Sequence, residues 1–230
     1  MFFKEILKQI DSIIERDPAA GGRFGVVFLY PSFHVIFFYK IGNTFWRYNL
    51  KFFARMIMYF ARIFTGIEIH PAAKIGKNFF MDHGLGIVIG ETAEIGDNVT
   101  IYQDVTLGGI MPSIESESQR NQKRHPTIGN NVIIGSGAQI LGAIKIGANA
   151  RIGANSVVSK DVRPNVTVAG VPAREFVRSR KKESFKAYGI SANDSDPREK
   201  TLIDLVKKVE NLENKIKNLE NDKKNRRNKK

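Results

Sequence analysis

Between Gly66 and Val162 an aliphatic side chain returns every six residues, and that period excludes most folds. The positions are Ile69 and Ile75, then Ile89, Ile95, Ile101 and Leu107, and, beyond a polar stretch, Ile128, Ile134, Ile140, Ile146, Ile152 and Val158. Four residues after most of them stands a small or branched side chain: Ala93, Val99, Val105, Val132, Ala138, Ile144, Ala150, Ser156 and Val162. A helix repeats its buried face about every 3.6 residues and a strand about every 2, so a period of six suits neither alone. It suits a parallel β-helix with a triangular coil and one short strand per side. The aliphatic residue points into the prism, and a Gly after it, as at Gly90, Gly96, Gly129, Gly135, Gly147 and Gly153, permits the turn.

The chain around this region divides further. Residues 1–66 read as an α-helical domain. "FKEILKQIDSIIERD" sets Ile6, Ile10, Ile13 and Ile14 on one face; "RDPAAGG" breaks it; a second helical stretch then runs to about Phe64. Its many Phe, Tyr and Met side chains, and the apolar run Phe24–Phe38, are expected to pack in the core. Residues 67–172 form the β-helix, interrupted by an insert loop at 109–127. Residues 173–200 read as a linker. Over 201–222, Leu202, Leu205, Val209, Leu212, Ile216 and Leu219 alternate spacings of three and four, a coiled-coil heptad with Lys208 and Lys215 at g and Glu213 and Glu220 at e. A basic tail, 223–230, follows. The fold class is therefore α+β.

Composition removes several functions. The 230 residues include no Cys, so no thiolate nucleophile, disulfide or Cys-based metal site is possible. With charges inside its first apolar run the chain has no signal-peptide pattern, and a cytoplasmic location is expected. The 15-residue run Phe24–Phe38 is shorter than the roughly 20 residues that span a bilayer, so no membrane span is expected. The net charge is +13, but +8 of it lies from Ala173 onward, where 18 basic side chains meet 10 acidic ones. That places the charge in a solvated end, and no nucleic-acid partner is expected.

A regular prism is a scaffold, and sites lie where regularity fails. The count slips once between Ile75 and Ile89, at Asp82-His83, which pushes a polar pair outward. It fails again at the insert, which ends in Arg124-His125. Of the four His, His34 in an apolar helix reads as a hydrogen-bonded core or interface residue and His70 as structural or a hydrogen-bond partner. His83 and His125 occupy the irregularities beside charged residues, and for each a functional role and a structural one stand level.

The repeats resemble the hexapeptide-repeat, left-handed β-helix acyltransferases. "DPAA", "GIEIHPAAKIGK", "MDHGLGIVIGETAEIGDNVTIYQDVTLGG", "KRHPTIG" and "IGANSVVSKDV" with "VAGVPAR" narrow the resemblance, over residues 17 to about 174, to serine O-acetyltransferase. The resemblance implies transfer of acetyl from acetyl-CoA, a co-substrate with no tightly bound cofactor or metal, to the L-serine hydroxyl for cysteine synthesis. It makes His83 the general base that an alcohol nucleophile requires and Glu68 the carboxylate that orients it. Many relatives have Asp at the place of Glu68. Asp17 and Asp82 match carboxylates around the serine amine and hydroxyl, although "DP" alone reads more simply as a turn or N-cap. Arg124 matches the clamp on the serine carboxylate, with His125 beside it. Backbone groups at Gly109, Ser136 and Ala154 would hold the pantetheine arm, and Arg151, with Lys160 or Arg174, would meet phosphates; a solvated basic face is the equal alternative for those three.

The resemblance also implies L-cysteine as a feedback inhibitor and a homotrimer. The helices that join two trimers in longer relatives are missing before "DPAA", which argues against a hexamer. The end "RRNKK" lacks the hydrophobic residue that docks into O-acetylserine sulfhydrylase, which argues against that partner. The insert is longer than the short Gly-rich loop of typical relatives. Three rival readings remain. One is acetylation of a sugar or other hydroxyl acceptor, which Arg124 and Asp17 disfavour. Another is a zinc hydratase, which the spacing of His70, His83 and His125 disfavours. The third is a non-enzymatic trimeric scaffold.

Overall fold

The computed structural model describes residues 2–111, 114, 116–176 and 197–227. The order is α1 (Phe2–Arg16), α2 (Arg23–Leu29), α3 (Pro31–Arg47) and α4 (Lys51–Thr65), fifteen short strands from β1 (Glu68–Ile69) to β15 (Arg174–Phe176), and α5 (Pro197–Arg227). Through β14 the strands pair in parallel with those one coil away and form three faces of a left-handed β-helix. Face A stacks β1, β4 (Val88–Ile89), β7 (Thr106–Gly108), β10 (Gln139–Leu141) and β13 (Val157–Val158); face B stacks β2 (Lys74–Ile75), β5 (Glu94–Ile95), β8 (Thr127–Ile128) and β11 (Lys145–Ile146); face C stacks β3 (Phe80–Met81), β6 (Thr100–Ile101), β9 (Ile133–Ile134), β12 (Arg151–Ile152) and β14 (Thr167–Ala169). The periodic aliphatics fill the interior: Ile89, Ile101, Leu107, Ile134, Ile140 and Ile152 are at most 1% exposed, and the residues four on, such as Val99, Val105 and Val132, are fully buried. Each such side chain contributes about 1.5–3 kcal/mol on leaving water.

The register locates the irregularities. Ile69 pairs with Ile89, so the first coil has 20 residues, whereas Ile89 to Leu107 and Ile140 to Val158 each take 18. The two extra residues lie between β3 (Phe80–Met81) and β4 (Val88–Ile89), where Asp82 and His83 stand. The third coil, Leu107 to Ile140, takes 33 because of the insert. The B/C corner is the regular one. Asn78, Asn98, Asn131, Asn149 and Asn165 all have φ between 53° and 63° there, and each amide donates to the next at 2.9, 3.3, 3.1 and 3.0 Å.

The helices depart from expectation in two ways. The second helical stretch is three helices. Tyr30 is extended before Pro31, which opens α3 at its first position because proline disfavours a helical residue before it. Asn49, at φ 61°, ends the next segment. The aromatics are also not all core: Phe24 (79%), Phe52 (73%) and Phe64 (75%) are exposed. In one chain α4 buries only the face of Ala54, Met58, Ala61 and Thr65, so side chains around the rest of its circumference meet solvent. Among the described residues no single helix is long and apolar enough to cross a membrane.

Past the last coil, β15 pairs antiparallel with β14, so ordered structure continues into the expected linker. Residues 177–196 and 228–230 lie outside the described residues. The helix α5 forms a separate unit and is longer than the heptad segment at both ends. Leu202, Leu205, Val209, Leu212 and Ile216 are each more than half exposed on it.

Candidate active site

The C/A corner carries the slip. His83 has φ 58° and is followed by Gly84 at 79° and Gly86 at 75°, a tight excursion that turns the His83 ring outward, with 69% of its side chain exposed. Gly86 N–H donates to Gly66 O, which ties this loop to the end of α4. The nearest carboxylate oxygen to the ring is Asp82 Oδ1, 3.9 Å from Nδ1. Burial pushes the Asp82 carboxyl up from its ordinary value; His83 opposes this and the charge of Asp17 adds to it. Two carboxylates half-withdrawn from water at one point form a place where a cation is favoured.

Asp17 reaches that place because Arg16 fastens the end of α1 to face C. The Arg16 guanidinium donates to Asn78 O at 2.5 Å and Thr100 Oγ1 at 3.1 Å and lies over the Phe80 ring. Burial lowers its pKa to about 10. Asp17 Oδ1 accepts Ala19 N–H at 2.8 Å, the turn that the "DP" reading anticipates, and Oδ2 accepts the Tyr30 hydroxyl at 2.5 Å. The turn and the approach to Asp82 thus coincide in one residue.

Glu68 opens β1 on face A, hydrogen-bonded through its N–H to Ile87 O and therefore alongside the His83 loop. Its carboxylate oxygen Oε2 lies 2.8 Å from Nη1 of Arg62, in the last turn of α4. The Glu68 side chain therefore faces Arg62, and Asp82 is the carboxylate nearer His83.

The A/B corner holds the other group. Arg124 Nη2 donates to Glu91 Oε2 at 2.6 Å. Burial raises the Glu91 carboxyl, but the Arg124 hydrogen bond and the charges of His70, Arg124 and His125 outweigh it and bring it below its ordinary value. Thr92 organises the rest. Its Oγ1 accepts the N–H groups of Arg124 and His125 at 3.0 and 3.1 Å. Its own N–H donates to His125 Nδ1 at 3.1 Å. A backbone N–H can only donate, so Nδ1 is unprotonated and the ring proton sits on Nε2. Burial, then the charge of Arg124, depress His125 to about 4, so the ring is a neutral donor at physiological pH. The ring lies against Gly90, where a Cβ would fall 2.0 Å from His125 Cδ2; only glycine fits there. His70 accepts Ala72 N–H on Nδ1, and burial lowers it too. His34 Nε2 lies 2.8 Å from Val27 O and is a satisfied structural residue.

Of the remaining expected residues, Ser136, Ala154 and Gly109 fall on the same two edges. Ser136 and Ala154 sit on the C/A corner two and three coils beyond His83, and Arg151 lies in β12 on the adjoining face C. Gly109 stands on the A/B corner beside Arg124, where an added Cβ would lie 3.6 Å from Arg124 O. Lys160 and Arg174 border a cleft of about 340 Å³ at the last coil. One chain thus brings Asp17, Asp82 and His83 together and, separately, Arg124 and His125, but not the two groups to each other. Among the described residues, His70, His83 and His125 do not gather into a group that could hold a metal ion. Sequence reasoning missed Arg16, Tyr30, Glu91 and Thr92. Only "GET" next to the slip hinted at the last two; the contacts to them span 33 residues.

The chain matches a family model described as bacterial transferase hexapeptide (six repeats) over residues 125–160. It is 49% identical over 182 residues to a serine acetyltransferase of Bacillus pumilus, covering 79% of this chain and 81% of that protein. It superposes on the serine acetyltransferase of Neisseria gonorrhoeae with a TM-score of 0.71 at 40% identity, covering 78% of this chain and 67% of that one. A soybean serine acetyltransferase complexed with serine matches at TM-score 0.70 and 39% identity, covering 75% and 68%. Two further solved serine acetyltransferases, at TM-scores of 0.67 and 0.71 and identities of 39% and 38%, are complexes with CoA and with cysteine, covering 75% and 77% of this chain and 68% and 66% of theirs. Identity of 49% over 182 residues, about four-fifths of both proteins, extends far beyond the repeats matched at residues 125–160, and this chain belongs to the serine acetyltransferase family.

Proposed function

We infer that the protein moves the acetyl group of acetyl-CoA to the hydroxyl of L-serine, giving O-acetyl-L-serine and CoA, the first step of cysteine biosynthesis. The observation that carries this reading is the pair of edges. One offers two carboxylates and an outward imidazole, the other a guanidinium and a neutral N–H donor. An amino acid with a side-chain hydroxyl needs those partners: carboxylates for its ammonium, Arg124 and His125 for its carboxylate, and a base for its hydroxyl.

In the reaction the imidazole of His83 takes the hydroxyl proton as the serine oxygen attacks the thioester carbonyl carbon. The tetrahedral intermediate collapses, the C–S bond breaks, and the leaving sulfur receives that proton from His83. Asp82 and Asp17 hold the ammonium. Glu68, kept beside the loop by β1, steadies the imidazolium once it turns from Arg62 toward the ring. Since the two edges belong to different corners of one prism, the site is composite: the A/B corner of one copy faces the C/A corner of the next. This supports a homotrimer. Acetyl-CoA lies in the groove between copies, its pantetheine along Gly109, Ser136 and Ala154 and its phosphates toward Arg151 and Lys160 or Arg174. L-cysteine carries the same ammonium and carboxylate as serine and competes for the same clamp.

The test is thiol release from acetyl-CoA with a panel of amino acids and sugars. L-serine should give the highest rate, and millimolar L-cysteine should inhibit competitively with serine. A sugar lacking a carboxylate that matches or exceeds serine would overturn the assignment.

A further inference from the structure

The hydroxyl of Tyr30 lies 2.5 Å from Asp17 Oδ2, and no feature of the reaction derived above uses it. The contact is built by the break between α2 and α3. Pro31 at the first position of α3 leaves Tyr30 extended, at φ −100° and ψ 108°, and packed against the small core of Ile10, Ile13, Val26 and Phe80. A neutral hydroxyl donating to a carboxylate at this separation is a charge-assisted bond, roughly twice as strong as a neutral one. Burial, followed by the Asp17 bond, takes the phenol to about 12, so it remains a donor throughout the working range. The other oxygen of Asp17 is held by Ala19 N–H. A carboxylate offers about four lone-pair positions, so a carboxylate pinned at both oxygens still has places for a ligand while its rotation is blocked.

We propose that Tyr30 is a positioning residue for the acceptor: its hydroxyl locks the Asp17 carboxylate toward Asp82, so that both meet the ammonium of the amino acid. This rests on the reading of Asp17 as an ammonium ligand in serine acetylation. Two like charges in electrostatic reach of one another repel, and a free Asp17 side chain would turn toward water before substrate arrives. The Tyr30 hydroxyl removes that freedom in advance, which stabilises the bound state without touching the reacting atoms.

The test uses the full-length protein and a four-way comparison of the parent, Tyr30→Phe, Asp17→Asn and the double variant, with steady-state kinetics for both substrates. In Tyr30→Phe the KM for L-serine should rise about 10-fold while kcat and the KM for acetyl-CoA stay within about twofold, since only ground- and transition-state binding of the ammonium is lost equally. On the Asp17→Asn background the same change should add less than about twofold, because its partner is already gone. An unchanged KM for serine in Tyr30→Phe, equal losses for serine and acetyl-CoA, or a full 10-fold further loss on Asp17→Asn would each overturn the proposal. Absence of serine-dependent thiol release in the parent itself would instead remove the functional reading beneath it.

Discussion

His83 stands at φ 58° with most of its side chain in solvent, whereas His125 is 6% exposed with Nδ1 filled by Thr92. An imidazole that must accept a proton needs a free nitrogen in reach of substrate, and the first ring has one. The second has its acceptor occupied and serves as a fixed donor. Replacing His83 by Asn keeps a residue that tolerates the left-handed backbone, so the change reads chemistry more than strain. His83→Asn should lower kcat by about 10²–10⁴-fold with acetyl-CoA binding intact, checked by steady-state kinetics and by titration of acetyl-CoA. Near-parental turnover would remove His83 from the role of base. His125 carries a stability prediction. Its folded-state value is depressed from 6.5 to about 4, so between those pH values the unfolded chain binds a proton that the folded chain refuses. Stability should be fully present above 6.5 and fall as the pH drops toward 4, by up to about 1.4 kcal/mol per unit from this group. Urea unfolding at pH 7, 6 and 5 should show a shallower fall in His125→Asn than in the parent; equal slopes would refute the assignment. Both residues were singled out from broken periodicity. Which one is locked neutral was not readable, because it depends on Thr92, 33 residues away.

The short strands are two or three residues long, and their order depends on what the corners impose. The B/C corner imposes most: five asparagines hold the left-handed backbone at each turn, and their amides link coil to coil. A non-glycine, non-Asn residue in that region costs about 1–2 kcal/mol. Asn131→Ala loses both the backbone fit and two ladder bonds, whereas Asn131→Gly loses the bonds alone. Thermal or urea unfolding should therefore show Ala destabilising by about 1–2 kcal/mol more than Gly. Equal effects would mean the ladder, not the backbone, sets the corner. The asparagines at Asn78, Asn98 and Asn131 stand in plain view in the sequence, but the interior aliphatics dominated the reading because a periodic apolar residue reports burial and a polar one at a turn reports only a turn. The prism itself was fully legible for that reason. The helices were not. Pro31 signals a break, yet the apolar run around it hides that signal, and the exposure of Phe24, Phe52 and Phe64 depends on which neighbours a single chain supplies.

At the scale of the molecule, the separation of the two edges bears on the proposed assembly. Asp17, Asp82 and His83 occupy one corner of the prism and Arg124 and His125 another, and the coil wall of face A lies between them. If both edges bind one serine, as proposed above, a second copy has to present its other corner, and a closed ring of three would satisfy every site with one kind of contact. For the proposed trimer, the heptad side chains on α5 would add a second means of association. Leu202, Leu205, Val209, Leu212 and Ile216 lie open along the helix, and tethering three copies would raise their effective concentration for one another. About three heptads are short for an independent coil, and Val209 and Ile216 at a with Leu205 and Leu212 at d lean toward two strands in isolation, so the prism should govern the number. Light scattering on the intact protein should give the mass of three chains, near three times 25.9 kDa. A mass of six would refute the trimer, and a monomer with full serine-dependent activity would refute the composite site. Truncation after Lys200 should leave the trimer and its turnover in place at micromolar protein and make dissociation on dilution faster. Collapse of the truncated protein to inactive monomers would move the source of assembly from the prism to the coil.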